Sequence, residues 1–353
     1  MAYPAEMIAE PINRADIWEP IAGDARDKNL LTMRQLEGAD IHDYLHEAYA
    51  AELAIRSPQR GVDLLPFRVA KAIMRQDSTR TGGSFTTAMD KLGGQSQLIS
   101  GMKASSEGKG ETRPDSYVAL ATQADILGIR AEEDDDPAVA AQAISDAVAT
   151  GGLWHPVPVI NLGDGRHEHP TQALGDLYTI HKHFKSFDGL ALTIVGDQER
   201  YRAHHSLMIG AAILGLTVIA VESPVAPVPP DLVDLLGTKL TRTDDLDSAM
   251  RDCDVLYLGR NPAEYTGQDR DELARSRQLE HDYLPWTVDC DRIQQLKKTS
   301  IVLHPRPRLG ELDPNVDRDP RMKDVNQMQN QIPMRMAIIA RHLGASIARQ
   351  VRG

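Results

Sequence analysis

The feature that most restricts the fold is an alternation of two segment types. Short apolar runs rich in Val, Ile and Leu recur between segments with helical spacing. In the second half these runs are "LALTIVGD" (190–197), "LTVIAVE" (216–222), "DVLYLGR" (254–260) and "SIVLHP" (300–305), with "SLMIGAAILG" (206–215) as a helix among them. In the first half they are "RVAKAIMRQ" (68–76), "ADILGIR" (124–130) and "PVPVINL" (156–162), with the helical "SYVALATQ" (116–123) and "PAVAAQAISDAVAT" (137–150) between. Apolar strands separated by helices predict parallel sheets covered by helices, hence an α/β chain.

With 353 residues, two domains are expected, each a parallel sheet flanked by helices. The joint falls at "HPTQALGDLYTIHKHF" (169–184), where Pro170 suits the first turn of a helix and good helix formers follow. The expected division is an N-terminal extension over 1–28, a first domain over 29–168 plus 328–353, a connecting helix over 169–185 and a second domain over 186–327. "DIHDYLHEAYAAELAIRS" (40–57) reads as a helix, and the last segment as a C-terminal helix beginning near Pro333. The run "EEDDD" (132–136) reads as carboxylates at a helix N-terminus on a solvated face.

A formal net charge of −12 argues against a nucleic-acid backbone as partner but leaves room for a local anion site. No run is long and apolar enough for a membrane span, and the N-terminus lacks a signal-peptide pattern, so a cytoplasmic protein is expected. Cys253 and Cys290 are far apart and lack metal-ligand spacing, so neither a disulfide framework nor a metal site is expected.

Ligands of open parallel sheets bind beyond the carboxyl ends of the strands. There the chain places Ser78, Thr79, Arg80 and Thr81, then Arg130, then His169 with Gln172 one helical turn on. Later strand ends bring Arg202, Arg260 and the "PRPR" segment (305–308). Helix capping accounts for one hydroxyl of Ser-Thr-Arg-Thr and leaves Arg80 unexplained. An anion such as phosphate at a helix N-terminus accounts for all four residues. The absence of Gly-Lys-Ser/Thr makes a nucleotide a poor candidate for the phosphate carrier.

Taken together, "STRT...SF..AM..LGG", "HPTQAL.DLYTI" and "LHPRPR..E" resemble, in order and spacing, the aspartate/ornithine carbamoyltransferases over roughly residues 38 to 345. "HPRPR" is closer to the aspartate branch, and the Asp-x-x-x-Ser-Met-Gly of the ornithine branch is missing. The resemblance implies a homotrimer, or a multiple of it, that moves a carbamoyl group from carbamoyl phosphate to L-aspartate in pyrimidine biosynthesis without metal or organic cofactor. It also implies that the first domain binds carbamoyl phosphate and the second the amino acid. Residues 78–81 would hold the phosphate. Arg80, Thr81, Arg130 and His169 would surround the carbonyl side as catalytic residues, and Gln172 would bind the amide. The backbone carbonyls of Arg306 and Pro307 would accept from the same NH2. Arg202 and Arg260 would bind the two carboxylates of aspartate. "SSEGKGETRPD" (105–115) resembles a loop that reaches a neighbouring subunit's site with Ser105 and Lys109, the lysine also contacting aspartate.

The departures from the family pattern lie mostly on the acceptor side. Gly82 and Thr86 stand where arginine and glutamate are common, an i and i+4 pair that reads as structural. Pro262 replaces a glutamine, Gly108 a lysine and Arg306 a leucine. These leave two alternatives beside aspartate: another amine acceptor such as a diamino acid, or a non-catalytic paralogue with a scaffold role. Two arginines favour a dicarboxylate.

Overall fold

The computed structural model describes residues 15–101, 107–260 and 270–352. It divides into two compact units, Met1–Gly165 with Met336–Gly353 and Arg166–Arg335. Each is α/β, as the alternation predicts.

The first unit contains α1 (Gly38–Arg56), β1 (Val69–Met74), α2 (Thr79–Lys91), β2 (Gln95–Ser100), α3 (Arg113–Ala121), β3 (Ile126–Ala131), α4 (Asp136–Ala149) and β4 (Val159–Asp164). Its four strands are parallel in the order β2-β1-β3-β4. Ile73, Leu127, Ile129 and Val159 of β1, β3 and β4 pack with Tyr117 and Ile144 of the covering helices. Residues 15–28, assigned by sequence to an extension, also join this packing through the buried Ile17, Ile21 and Ala25.

The second unit contains α5 (Pro170–Phe184), β5 (Ala191–Val195), α6 (Arg202–Ile213), β6 (Thr217–Val221), α7 (Pro230–Leu236), β7 (Leu240–Thr243), α8 (Leu246–Arg251), β8 (Val255–Leu258), α9 (Arg270–Tyr283) and β9 (Ile301–Leu303). The strand order is β7-β6-β5-β8-β9, again all parallel. Its core joins Val195, Val221, Leu256 and Leu258 to Trp286, Val302 and Leu312.

The C-terminal expectation needs correction. The helix starts at Asp324, not near Pro333, and α10 (Asp324–His342) carries Pro333 inside it, followed by a separate α11 (Ile347–Arg352). Pro333 has no N–H for the carbonyl one turn back, yet the helix runs on through it, with Gln331, Met334 and Met336 buried nearby. The break before α11 is a Schellman end: Gly344 has φ +70°, and the amides of Gly344 and Ala345 donate to the carbonyls of Arg341 and Ala340. Glu47 of α1 then accepts from the first amides of α11, Ile347 at 2.7 Å and Ala348 at 3.1 Å.

The acidic run leads into α4 with Glu132, Glu133, Asp134 and Asp135 exposed, as read, and departs from a solvated face at its last residue. Asp136 is 2% exposed. It accepts from the Tyr117 hydroxyl at 2.7 Å and pairs with the Arg75 guanidinium at 3.3 Å. Burial raises its pKa above the ordinary value.

Candidate functional site

In a doubly wound sheet the ligand crevice opens where successive connections leave in opposite directions. In the first unit β1 connects to β2 on one side while β3 lies on the other, so the switch point lies between β1 and β3. The groups singled out by sequence flank it. Ser78 caps α2, accepting from the Thr81 amide at 3.3 Å, with Thr79 and Arg80 exposed and Thr81 buried behind them. Arg130, opposite Met74 in register, is the penultimate residue of β3, and its guanidinium donates to the Leu162 carbonyl at 3.5 Å. Amides at the start of a 13-residue helix, the hydroxyls of Ser78, Thr79 and Thr81 and two guanidiniums thus stand at this switch point, the groups that a phosphate-like anion would need.

The two departures within α2 have a local explanation. A Cβ on Gly82 would lie 2.6 Å from Leu98 Cδ1 and 3.2 Å from Met74 Sδ, so β1 and β2 side chains occupy the space of a longer residue. The Thr86 hydroxyl turns back along the helix to the carbonyls of Gly83 (2.9 Å) and Gly82 (3.2 Å). No charge pair remains to be completed.

In the second unit the switch point lies between β5 and β8. Arg202 is the first residue of α6 and buried; Arg260 follows β8 after a single glycine and is half-buried. An aromatic cluster supports Arg260. The Arg260 guanidinium sits 5.8 Å from the Tyr201 ring, and His204 meets that ring edge-on at 4.5 Å and Tyr257 at 5.7 Å. His204 is fully buried, which holds its pKa well below the ordinary value and keeps the ring neutral. Its Nδ1 donates to Gln198 Oε1 at 2.9 Å, because the Gln198 amide nitrogen is already spent on the carbonyls of Ile194 and Val221. A Cβ at Gly259 would come 2.5 Å from the His204 ring, so only glycine fits between β8 and Arg260.

The same unit carries His169 and Gln172 at the start of α5, with Pro170 in the first turn. His169 is 5% exposed; its amide donates to the Ser206 hydroxyl at 2.8 Å, and its Nδ1 lies 3.3 Å from the Thr171 hydroxyl. Gln172 donates through Nε2 to Asp176 at 2.8 Å.

Beyond β9 the turn with Arg306 and Pro307 has a cis peptide between them, and Arg306 has φ 55°. His304 and Glu311 close this turn: His304 Nε2 donates to Glu311 at 2.6 Å, while Nδ1 accepts from the Arg306 amide at 2.8 Å. The Arg306 side chain is held by Asp324 and Asp317. Its charge is thus matched by carboxylates outside the turn, chiefly that of Asp324 at the start of α10.

Lys109 is exposed in a short turn, Glu107–Lys109, together with Gly108. Ser105 and Pro262 lie outside the described residues. Sequence reasoning passed over Gln198, His204, Ser206, Asp176, Gln327 and Gln331. The one available signal was Asp176, a carboxylate within the otherwise largely apolar "ALGDLYTI" (173–180). Among the described residues no helix is long and apolar enough to cross a membrane, and Cys253 and Cys290 are both free thiols.

Comparison with known proteins gives consistent results for both units. Residues 28–182 match the family model of the aspartate/ornithine carbamoyltransferase carbamoyl-P binding domain, and residues 188–341 match that of the Asp/Orn binding domain. The aspartate carbamoyltransferase catalytic subunit of Thermoplasma acidophilum is 32% identical over 313 residues, covering 88% of this chain and 97% of its own. That of Alkaliphilus oremlandii is also 32% identical, covering 90% and 92%. Among solved structures, aspartate transcarbamoylase from Trypanosoma cruzi in complex with carbamoyl phosphate and aspartate superposes with a TM-score of 0.80 at 32% identity, covering 92% of this chain and 99% of that one. Both halves of the chain, and nearly the whole length of these relatives, therefore place it in the aspartate/ornithine carbamoyltransferase family.

Proposed function

We propose that this protein transfers the carbamoyl group of carbamoyl phosphate to the amine of L-aspartate, giving N-carbamoyl-L-aspartate and phosphate, as in pyrimidine biosynthesis. One observation carries the choice of acceptor: Arg202, at the start of α6, and Arg260, just beyond β8, flank one switch point, which suits a ligand with two carboxylates. The relatives named aspartate carbamoyltransferase, and the solved relative holding carbamoyl phosphate and aspartate, support it.

In this reading residues 78–81 bind the phosphate at the start of α2. Arg80, Thr81, Arg130 and His169 stabilise the charge that develops on the carbamoyl oxygen as the amine attacks. Gln172 and the carbonyls of Arg306 and Pro307 hold the carbamoyl NH2. The C–N bond forms, the C–O bond to phosphate breaks, and the amine proton leaves on the phosphate. The first unit takes carbamoyl phosphate and the second takes aspartate. The working form is a homotrimer, or a multiple of it, in the cytoplasm, with Ser105 and Lys109 completing a neighbour's site.

The test is Arg80→Ala, assayed for carbamoyl transfer to aspartate on protein whose circular dichroism matches the parent. Turnover is expected to fall by about a thousandfold. Near-normal turnover by the folded variant would overturn the cradle assignment.

A further inference from the structure

Gln172 and the turn beyond β9 meet at one fully buried carboxyl group. Asp176 Oδ1 accepts from Nε2 of Gln172 at 2.8 Å, of Gln327 at 2.8 Å and of Gln331 at 3.3 Å. Asp176 is 0% exposed on α5, and the two distant glutamines come from α10. All of these residues belong to the second unit.

A carboxylate oxygen offers only lone pairs, so each glutamine must present its NH2 to it. This chemistry fixes the three amide orientations. For Gln172 the carbonyl oxygen then points away from Asp176, as an acceptor for an NH2. For Gln327 the carbonyl oxygen is the atom that receives the His304 amide at 2.8 Å, where β9 passes into the Arg306 and Pro307 turn. A continuous chain results: His304 N–H to Gln327, Gln327 to Asp176, and Gln172 to Asp176. Gln331 adds a contact at 3.4 Å to the Gln172 backbone carbonyl. Its path over α5 needs Gly175, where a Cβ would lie 2.2 Å from the Gln331 amide nitrogen.

We infer that Asp176 is a positioning residue: through one buried oxygen it sets the Gln172 amide and the residue 304–307 turn in a single arrangement, so that both offer acceptors to the carbamoyl NH2. The inference rests on the proposed roles of Gln172, Arg306 and Pro307. A leucine would fill the space at no desolvation cost but would take the acceptor from the Gln172 and Gln327 NH2 groups and leave Gln331 only its longer contact to the Gln172 carbonyl. The carboxyl group is itself costly: burial pushes its pKa up to about 7 against the pull of Gln327, Gln172, Tyr257 and Arg335. Orientation of the two acceptor segments gives a costly group at this position a function.

The experiment compares Asp176→Ala, Asp176→Asn, Gln327→Met and Gln172→Ala in steady-state carbamoyl transfer, with KM measured separately for carbamoyl phosphate and aspartate. Asp176→Ala is expected to raise the KM for carbamoyl phosphate about tenfold or more, with the KM for aspartate changed less than about threefold. Asp176→Asn keeps an acceptor oxygen and should restore most of the loss. Gln327→Met removes one arm of the chain and should raise the same KM by about threefold, which keeps the inference testable if Asp176→Ala does not fold. Wild-type KM in both Asp176→Ala and Gln327→Met, or Asp176→Asn as impaired as Asp176→Ala, overturns it. So does an equal rise in both KM values. If Gln172→Ala leaves the carbamoyl phosphate KM unchanged, the role of Gln172 itself is wrong; if Gln172→Ala raises it and Asp176→Ala does not, only the positioning role is wrong.

Discussion

The two units present their polar groups by different means. In the first, the groups stand on four consecutive residues, 78–81, and the start of α2 aims them; backbone geometry is the scaffold. In the second, Gln172, Arg202, Arg260 and the Arg306 turn are far apart in sequence and are held by buried side chains. His204 wedges against Gly259 and Tyr201, and Asp176 ties α5 to α10 and to the end of β9. A helix N-terminus is tolerant of its surroundings, whereas a buried polar network fails as a unit when one member is lost. The second unit should therefore be the more sensitive to small internal changes.

The largest expected difference between the units is in pH dependence. His342 of the first unit is buried, with Nδ1 donating to the Lys28 carbonyl at 2.7 Å and Nε2 paired with the Tyr44 hydroxyl at 2.8 Å. Burial lowers its pKa to about 4, below an unfolded value of about 6.5. The folded state then binds fewer protons in that window, so its contribution to stability rises with pH and is lost on acidification. Asp176 behaves oppositely. Its folded pKa of about 7 lies above an unfolded value of about 4, so the folded state binds more protons and stability falls as pH rises through that window. Each contribution is on the order of a few kcal/mol across its window. Denaturant melts from pH 4 to 7.5 should show Asp176→Asn gaining stability relative to the parent as pH rises, and His342→Asn losing its advantage from rising pH. Parallel curves for parent and both variants would break the comparison.

Next in size are the arginines of the second unit. Arg202→Ala and Arg260→Ala should each raise the KM for aspartate about a hundredfold, with carbamoyl phosphate binding altered far less. Equal effects on both substrates would mean that the arginines are not confined to the acceptor.

Two glycines give a smaller and sharper contrast. In an exposed helix Gly→Ala stabilises by up to about 1 kcal/mol. Gly175→Ala should instead destabilise by about 2 kcal/mol, since its Cβ would meet the Gln331 amide, and should raise the carbamoyl phosphate KM as well. Gly82→Ala should be close to neutral, because the nearest atom is the tip of Leu98, an exposed side chain that can move. Equilibrium unfolding of the pair checks the sign. Smallest is Thr86→Ala, which removes a hydroxyl bonded back to α2 and should change stability by no more than about 0.5 kcal/mol with no change in turnover. A large loss of turnover there would make Thr86 part of the site.

What could be read from the sequence follows the same division. The inner strands are apolar on both faces and were legible; β2 ("QSQLIS") and β7 ("LTRT") are polar edge strands and were not. Residues 78–81 were legible because the helix start and the ligand groups are one stretch of chain. Arg202 and Arg260 were legible as strand-end arginines, but not the support of Arg260, since His204 and Gly259 meet only in three dimensions. The network around Asp176 was illegible for the same reason: the partners Gln327 and Gln331 lie 151 and 155 residues away. Pro333 misled because proline normally marks a helix start, and here α10 passes through it. Asp136 misled because its neighbours in the run are acidic, while its actual surroundings are Tyr117 and Arg75.

The most direct measurement supplies purified protein with carbamoyl phosphate and, separately, L-aspartate, L-ornithine and other diamino acids, recording phosphate release and product mass. Phosphate released in step with N-carbamoyl-L-aspartate, and little with the diamino acids, is the expected result. Release only with a diamino acid would contradict the assignment of Arg202 and Arg260 to a dicarboxylate, and no acceptor-dependent release at all would contradict catalysis itself.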